Sequence, residues 1–370
     1  MEKMEDISIN LYENKITELN RTNFKFELAT KIQIRIKDCH IIEKIIELPQ
    51  DKIGILYRRE YNKCLFLIYS SKTFTMIKQF KFFFKDAVKT EDNNLVLSNE
   101  YNIYYYELID KEYKLIQEIQ CYKKEDKDFS YSGFFRIHKD SIDSIHPLKN
   151  GNLIVKNGKE MKIYKKDNGK FIYYKTLKCE YYIQEIFEIK PNIIVLFLRE
   201  RLGSGCEVYG YNHYISLYNI QNDEKNIIGK SNQYNDDDEY HNKKPFLKIG
   251  NHLIAKYADR FDIYDIDQNM KLINEDDYEI IKIKKWGSYI EDKKLKNEIP
   301  FRYFKEELKK NFILATKKDG QAFVYQYEDK SFKECQKFPF DLKYENIIKL
   351  KNGKLIIYIK DEIKVINGFY

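Results

Sequence analysis

Hydrophobic and polar positions repeat along this chain in a fixed order: an apolar segment, a short polar turn and a second apolar segment. The two best-matched copies are Leu148-Lys-Asn-Gly-Asn-Leu-Ile-Val155 and Leu350-Lys-Asn-Gly-Lys-Leu-Ile-Ile357. Short apolar runs around an Asn-Gly turn are typical of a β-hairpin. The sequence therefore predicts seven hairpins, the other five at Leu48–Leu56, Val88–Leu97, Ile189–Leu196, Leu247–Ala255 and Leu308–Ala315.

A second pattern follows each hairpin: an apolar residue, then Tyr, then a polar turn and a further apolar strand. Its copies recur about every 40 to 60 residues, which is the length of a propeller blade built from four short strands. Val365-Ile366 takes the seventh position without the Tyr. We expect the six tyrosines to hold equivalent buried positions in successive blades; the copies are Ile68-Tyr69, Tyr105-Tyr106, Ile163-Tyr164, Leu217-Tyr218, Ile263-Tyr264 and Val324-Tyr325.

These two patterns together resemble WD-repeat and related propellers. In that family the third strand of a blade ends in a Trp-Asp dipeptide, and a Gly-His pair precedes the blade. The chain matches the architecture over nearly its whole length, but it approaches the dipeptide only at Ile263-Tyr264-Asp265, with Tyr in place of Trp. The resemblance implies a scaffold for binding and transfers no functional residue.

The last predicted blade, which begins near Asn346, has only three strands before the sequence stops. Residues Ile7–Ile36, ahead of the first blade, alternate apolar with polar and could supply the fourth strand, either from Ile7–Leu11 or from Asn23–Leu28. A blade shared by both chain ends would leave no open sheet edge. The prediction is an all-β, seven-bladed β-propeller, one domain over residues 1–370, although six or eight blades also fit.

Composition suits one folded domain, since 43% of the 370 residues are hydrophobic. The charged start at Met1–Asp6 has no apolar signal segment, and no run is long enough to span a membrane, so we expect a cytoplasmic protein. No two of the six cysteines are closer than 25 residues. Paired zinc ligands usually have about two to four residues between them, so reduced thiols are predicted.

Four insertions interrupt the repeat, near residues 122–136, 199–213, 232–244 and 282–310. In the second, Leu202-Gly-Ser-Gly-Cys206 lacks the helix and Lys of a phosphate-binding loop, which favours a hairpin turn. The third holds the acidic run Asp236–Glu239. Calcium loops alternate their ligands around a turn Gly, so a solvated loop is preferred to a cation site.

No residues stand out as a catalytic site. General acid–base catalysis needs carboxylates that converge, and Asp259, Asp262, Asp265 and Asp267 fit a strand followed by a polar turn. The six His form no close pair of metal ligands, and the chain has no nucleophile elbow or Walker-type loop. The sequence therefore predicts no enzyme, no cofactor and no metal.

Residues 282–310 are the most distinctive insertion, with ten Lys or Arg against five Asp or Glu. After Pro300 we predict a helix over Phe301–Lys310, because Phe301, Phe304 and Leu308 would share one face. Interfaces are enriched in aromatic residues and Arg. The residues predicted to contact a partner are Trp286, Lys293, Lys294, Lys296 and Arg302.

The predicted function is a non-catalytic protein-interaction scaffold, with partners docking on loop insertions of one face. The basic insertion would suit an acidic protein partner. A formal charge of +7 is a small excess for a chain of this length and argues against nucleic acid. The alternative is a propeller enzyme or small-ligand-binding protein that uses the central channel, which would need polar groups with shifted pKa values to converge there.

Overall fold

The computed structural model describes residues 24–33, 41–60, 63–123, 141–202, 210–233, 245–256, 261–273, 278–285, 288–295, 301, 303–317, 319–328, 331–342 and 345–369. These residues form thirty β-strands, and none of them is helical. The chain divides into two compact units, residues 1–7 with 35–192 and residues 8–34 with 193–370. The prediction of one domain over residues 1–370 stays a prediction.

The strands that begin before residue 193 are short and mostly consecutive hairpin partners. They are β1 (Lys25–Gln33), β2 (Ile41–Leu48), β3 (Lys52–Glu60), β4 (Lys63–Ser70), β5 (Met76–Phe84), β6 (Asp86–Lys89), β7 (Leu95–Ser98), β8 (Asn102–Ile109), β9 (Glu112–Gln120), β10 (Ser144–Pro147), β11 (Leu153–Asn157), β12 (Glu160–Asp167), β13 (Lys170–Lys178) and β14 (Tyr182–Lys190).

The remaining strands follow the same plan. They are β15 (Ile193–Leu202), β16 (Gly210–Asn219), β17 (Lys225–Gln233), β18 (Phe246–Ile249), β19 (His252–Lys256), β20 (Phe261–Asp265), β21 (Lys271–Leu272), β22 (Tyr278–Lys285), β23 (Ser288–Leu295), β24 (Tyr303–Lys309), β25 (Phe312–Thr316), β26 (Ala322–Glu328), β27 (Ser331–Lys337), β28 (Asn346–Lys349), β29 (Leu355–Ile359) and β30 (Glu362–Phe369).

Seven four-stranded sheets are the blades of a seven-bladed β-propeller, the all-β fold that the repeat predicts. Blades one to six are β2–β5, β6–β9, β10–β13, β14–β17, β18–β21 and β24–β27, and blade seven has the order β1-β30-β29-β28. The strands β22 and β23 form a separate two-stranded sheet between blades five and six in the chain.

The seven predicted hairpins are the first and second strands of the seven blades. In blade three the turn is closed by hydrogen bonds from Gly151 N to Leu148 O (2.9 Å) and from Leu148 N to Asn152 O (2.8 Å). Each of the seven turns contains a residue with positive φ, which Asn, Asp and Gly adopt most readily. These residues are Asp51, Asn93, Gly151, Asn192, Gly250, Asn311 and Gly353.

The N-terminal strand completes blade seven, as predicted. β1 pairs antiparallel with β30 along its length, so that Leu28 lies opposite Ile366 and Ile32 opposite Ile363. Just before β1, the buried Phe24 ring packs against Phe312 of blade six, with ring centroids 5.2 Å apart. Of the two segments considered, the one that contains Leu28 is therefore part of the blade.

The six repeated tyrosines lie in the third strands of blades one to six, where 0 to 7% of their surface is exposed. Tyr106, Tyr164 and Tyr325 belong to apolar clusters that two neighbouring blades share. Tyr106, for example, meets Phe80 of blade one edge to face, with ring centroids 5.1 Å apart. Apolar residues of adjacent blades form shared clusters in this way, so the core lies between the sheets rather than within one of them.

The helix predicted over Phe301–Lys310 is wrong, because Tyr303–Lys309 is the first strand of blade six. Phe304 and Leu308 are buried all the same. Phe304 packs in the cluster between blades five and six and Leu308 in the cluster between blades six and seven, because register shifts in β24 place the two side chains on opposite faces of the sheet. A spacing that fits one face of a helix therefore also occurs in a bulged strand. Blade six therefore begins at Tyr303. In the earlier part of the predicted insertion, the described residues form the hairpin β22–β23.

Part of the insertion predicted at 199–213 is also regular strand. Arg199 lies opposite His213 and Leu202 opposite Gly210, which lengthens the hairpin of β15 and β16. The Gly-Ser-Gly turn lies in residues 203–209, outside the described residues, as do residues 124–140 and the acidic run within 234–244. The predictions for those segments stay predictions.

The four described cysteines are thiols, as the spacing predicts. Cys64, Cys121 and Cys179 are buried and Cys335 is half-buried. Burial raises the pKa of the Cys121 thiol, which keeps it protonated and unreactive at neutral pH. Within the described part of the chain, no helix has the length and apolar character needed to cross a membrane.

Candidate interaction surfaces

The hairpin β22–β23 is the structural counterpart of the predicted docking insertion. Its strands pair antiparallel, with Ile280 opposite Lys293 and Glu279 opposite Lys294. Trp286, Lys296 and Arg302 lie outside the described residues, and so do the side chains of Lys293 and Lys294. The role of these five residues in partner contact stays a prediction.

Asp86 connects the first strands of blades one, two and three. Its Oδ1 accepts hydrogen bonds from Lys44 Nζ of β2 at 2.8 Å and from the Ala87 amide at 2.8 Å. Its Oδ2 accepts from the Ile145 amide of β10 at 2.9 Å. A buried carboxylate is stable only with donors of this kind. Both of its oxygens are thus used in joining strands, which accounts for Asp86 without a catalytic role.

His146 and Ser144 lie two residues apart on β10, so their side chains project from the same face. Ser144 Oγ and His146 Nε2 are 2.8 Å apart, the spacing of a nucleophile and its base. Burial lowers the pKa of His146 to about 3, with a further contribution from the charge of Lys156. An imidazole this weakly basic is a poor general base at neutral pH. The pair is best explained as a neutral hydrogen bond that helps to hold β10.

Of the four carboxylates singled out in the sequence, Asp262 and Asp265 are hydrogen-bonded within blade five, and Asp259 lies outside the described residues. Asp262 is buried and accepts from the Tyr264 hydroxyl at 3.0 Å. Asp265 Oδ1 accepts from the amides of Asp267 (2.9 Å) and Gln268 (3.1 Å), which caps the turn after β20. No group of three or more His, Cys, Asp or Glu among the described residues could hold a metal ion.

The outermost strands of blades one, two and three, β5, β9 and β13, expose large apolar side chains. Soluble monomers seldom expose a contiguous group of such residues without a function. We name the following eight residues, given with their exposed fractions, the outer-strand surface: Ile77 51%, Phe82 59%, Phe83 39%, Leu115 49%, Ile116 36%, Ile172 53%, Tyr173 55% and Tyr174 40%.

A recurring β-bulge accounts for part of this exposure. In blade three, Tyr164 lies opposite Tyr173 while the residue before Tyr164 lies opposite Lys175, so Tyr174 has no opposite residue in the ladder. A bulge of this kind bends the strand and redirects the extra side chain. The pairing shifts at the repeated Tyr in blades one and two as well, and the extra residues there are Ile77 and Ile116.

Hydrogen bonds connect the three outer strands side by side. Lys78 Nζ of β5 donates to Tyr113 O of β9 at 3.1 Å. Gln117 of β9 and Phe171 of β13 exchange two hydrogen bonds, from Gln117 Nε2 to Phe171 O at 3.0 Å and from Phe171 N to Gln117 Oε1 at 2.8 Å. The outer-strand surface is therefore shared by three neighbouring blades of the first unit.

Lysines outnumber carboxylates on the three strands of the outer-strand surface. The strands β5, β9 and β13 contain six Lys against two Glu, and both Glu belong to β9. Lys81, Lys170 and Lys178 are exposed. Lys165 Nζ lies 3.5 Å from the centroid of the Tyr174 ring, a cation–π contact. The three strands thus combine exposed apolar side chains with an excess of positive charge.

Sequence reasoning did not identify the outer-strand surface, although one signal was present. Phe82-Phe83-Phe84 and Ile172-Tyr173-Tyr174 are unbroken apolar runs, and in the structure both lie in the fourth strand of a blade. Successive residues of a strand point to opposite faces, and the outer edge of a blade is covered by no further strand. A run of three apolar residues at that position cannot be buried completely.

Comparison with known proteins identifies structural neighbours but no sequence relatives. No protein-family model and no curated protein sequence matches the chain. A crystal structure of the RRP9 WD40 repeats is similar at a TM-score of 0.56 and 10% identity, over 93% of this chain and 100% of that one. A structure of U3-55K is similar at a TM-score of 0.55 and 10% identity, over 91% and 98%.

In fold, the chain is a WD-repeat-like β-propeller. The likeness to these two structures covers nearly the whole chain, and the seven four-stranded sheets agree with it. At an identity of 10% the likeness shows the fold alone. The function has to be argued from the surfaces of this chain, because one fold can carry many functions.

Proposed function

We propose that this propeller is a non-catalytic scaffold that binds other proteins. The observation that carries the proposal is the outer-strand surface, with eight exposed apolar side chains on three neighbouring strands. Covering such side chains removes apolar area from water, which is the main favourable contribution to protein association. The blades supply a rigid frame, since each is joined to the next by a shared apolar cluster in the first unit.

The proposal includes docking on the insertion between blades five and six. Its support is that β22 and β23 form a two-stranded sheet outside the blades, in a segment rich in Lys. The residues proposed to make the contact are Trp286, Lys293, Lys294, Lys296 and Arg302. We place the protein in the cytoplasm, in keeping with the thiols of the described cysteines.

The test is cross-linking and affinity capture with the tagged full-length chain in its native cells. One variant combines Ile172→Ser and Tyr174→Ser, another reverses charge at Lys293, Lys294 and Lys296, and a third is Trp286→Ala. The matched control is Ile227→Ser on β17, since Ile227 and Ile172 are both 53% exposed.

Proteins cross-linked to the wild-type chain and to the control, but lost from the outer-strand or insertion variants, would support the scaffold. Loss with one variant set alone would assign the contact to that surface. Identical recovery with all of the chains would contradict partner binding at both surfaces.

A further inference from the structure

We propose that the outer-strand surface binds an acidic segment of a partner protein through side-chain contacts, without the addition of a β-strand. The inference rests on the proposed scaffold function and specifies the chemistry of its partner. The partner segment would cross β5, β9 and β13, because the exposed apolar residues are divided among these three strands.

The exposed side chains favour protein over nucleic acid. Ile77, Leu115 and Ile116 are aliphatic and offer no ring on which a base can stack. The Tyr174 ring already has Lys165 Nζ 3.5 Å from its centroid, so that one face is occupied. Phe82 is stacked on Tyr104, with centroids 6.3 Å apart and planes at 6°. The aromatic faces that a nucleic acid would need are therefore partly covered.

The charge around the surface selects an acidic partner. Lys81 on β5 and Lys170 and Lys178 on β13 are exposed at both sides of the surface, and Glu112 and Glu118 lie only on the middle strand. Opposite charges at the border of an interface speed association and reject partners of the wrong sign. A second copy of this chain would bring the same lysines together, which disfavours self-association at this surface.

The bulges argue against strand addition. A partner strand pairs with a straight row of unpaired amide and carbonyl groups along a sheet edge. In blades one, two and three that row is interrupted at Ile77, Ile116 and Tyr174, where the extra residue bends the strand. Natural sheets use such bulges to prevent edge-to-edge pairing. The side chains at the bulges are exposed and can contact a partner.

The test uses the immobilised full-length chain and a phage-displayed library of random peptides about a dozen residues long. We expect the enriched peptides to be acidic and to contain large apolar residues. Two variants remove different parts of the surface: Ile172→Ser with Tyr174→Ser, and Lys170→Glu with Lys178→Glu. Their matched controls are Ile227→Ser and Lys225→Glu on β17, which are also exposed.

Each variant should weaken the binding of a synthetic copy of an enriched peptide by about tenfold or more, and the controls should not. Higher salt should weaken binding to the wild-type chain and have less effect on the Lys170→Glu, Lys178→Glu variant. N-methylation of alternate peptide amides should leave binding in place, because the backbone takes no part. Loss of binding on N-methylation would establish strand addition instead and overturn the side-chain mode.

The other outcomes overturn the proposal in distinguishable ways. Enrichment of neutral or basic peptides that still need Ile172 would overturn the acidic partner and leave the scaffold intact. Acidic peptides that bind both variants normally would exclude this surface as their binding site and would leave the proposed scaffold function intact.

An oligouridine that binds the wild-type chain but not the variants would reassign the surface to nucleic acid. A wild-type dimer that the variants dissociate would reassign it to a second copy, and absence of any enriched peptide would overturn the binding site altogether.

Discussion

Tyr164 lies directly opposite Leu153 in the pairing of the third and second strands of blade three. The repeated residue of the third strand lies opposite an apolar residue in the first two positions of the second strand in every blade. The two patterns of the sequence repeat are therefore the two halves of one buried contact, which explains why they recur together. The other six pairs are Tyr69–Ile53, Tyr106–Leu95, Tyr218–Ile194, Tyr264–Leu253, Tyr325–Ile313 and Ile366–Leu355.

Replacing Tyr164 with Ala should lower the free energy of unfolding by about 3–5 kcal/mol, the usual cost of truncating a buried aromatic side chain. The reason is the cavity left between blades two and three, where Tyr164 is 3% exposed. Tyr164→Phe should cost only about 1 kcal/mol, since it removes the hydroxyl and its hydrogen bond with Cys121. Urea denaturation followed by fluorescence measures both changes.

The control for this prediction is Tyr174→Ala on the same blade. Tyr174 is 40% exposed, so its truncation should change stability by no more than about 0.5–1 kcal/mol. If Tyr164→Ala were as mild as Tyr174→Ala, the repeated tyrosines would not be core residues of the fold.

The repeat could be predicted from sequence because its information is local. A hairpin needs two apolar runs and a turn residue that accepts positive φ, such as Gly151 or Asn311, all within about ten residues. The strand at Tyr303–Lys309 was predicted as a helix because Phe304 and Leu308 fit one helical face, whereas register shifts in the strand place them on opposite faces of the sheet. Only the pairing of this strand with β25, which a single sequence does not display, separates the two.

Deleting residues 1–33 should cause aggregation, because it removes β1 and leaves β30 as an open edge. Phe24, which packs in the cluster between blades six and seven, would be lost as well. The matched control deletes residues 1–22 only and keeps β1. Size-exclusion chromatography and thermal melting distinguish the two chains. A monomeric protein with unchanged melting after the longer deletion would show that β1 contributes nothing to stability.

Asp86→Ala should destabilise the fold by about 2–4 kcal/mol, because it strips the Ala87 and Ile145 amides of their acceptor in a buried site. Lys44→Met should cost much less, about 0–1 kcal/mol, since the ion pair is formed by a lysine that is 38% exposed, and Asp86 keeps its two amide donors, Ala87 and Ile145. Chemical denaturation gives both values. Equal costs for the two variants would mean that the ion pair, and not the amide contacts, is what Asp86 provides.

The role of Asp86 lies beyond sequence reasoning because its partners are distant in the chain. Lys44 is 42 residues before it and Ile145 is 59 residues after it. The exposure of the outer-strand surface likewise depends on residues that are distant in the chain. Whether Ile172 or Tyr174 is exposed depends on β13 being the last strand of its sheet and on the register that creates the bulge. Strand order and register are set by pairing, not by the residues of one strand.

His146 makes stability depend on pH, and the direction follows from its lowered pKa. Burial lowers the folded pKa to about 3, against about 6.5 in the unfolded chain. As the pH falls below about 6.5, the unfolded chain binds a proton that the folded protein does not, so the free energy of unfolding falls by up to about 1.4 kcal/mol per pH unit. His146→Gln, which keeps a polar side chain beside Ser144, should remove this share of the loss between pH 7 and pH 5.

His213→Gln should remove a similar share of the loss, because burial lowers the pKa of His213 to about 4. The double variant should show the sum of both effects. Urea titrations of the four proteins at pH 7, 6 and 5 measure the slopes, and a slope unchanged by His146→Gln would place the acid sensitivity elsewhere.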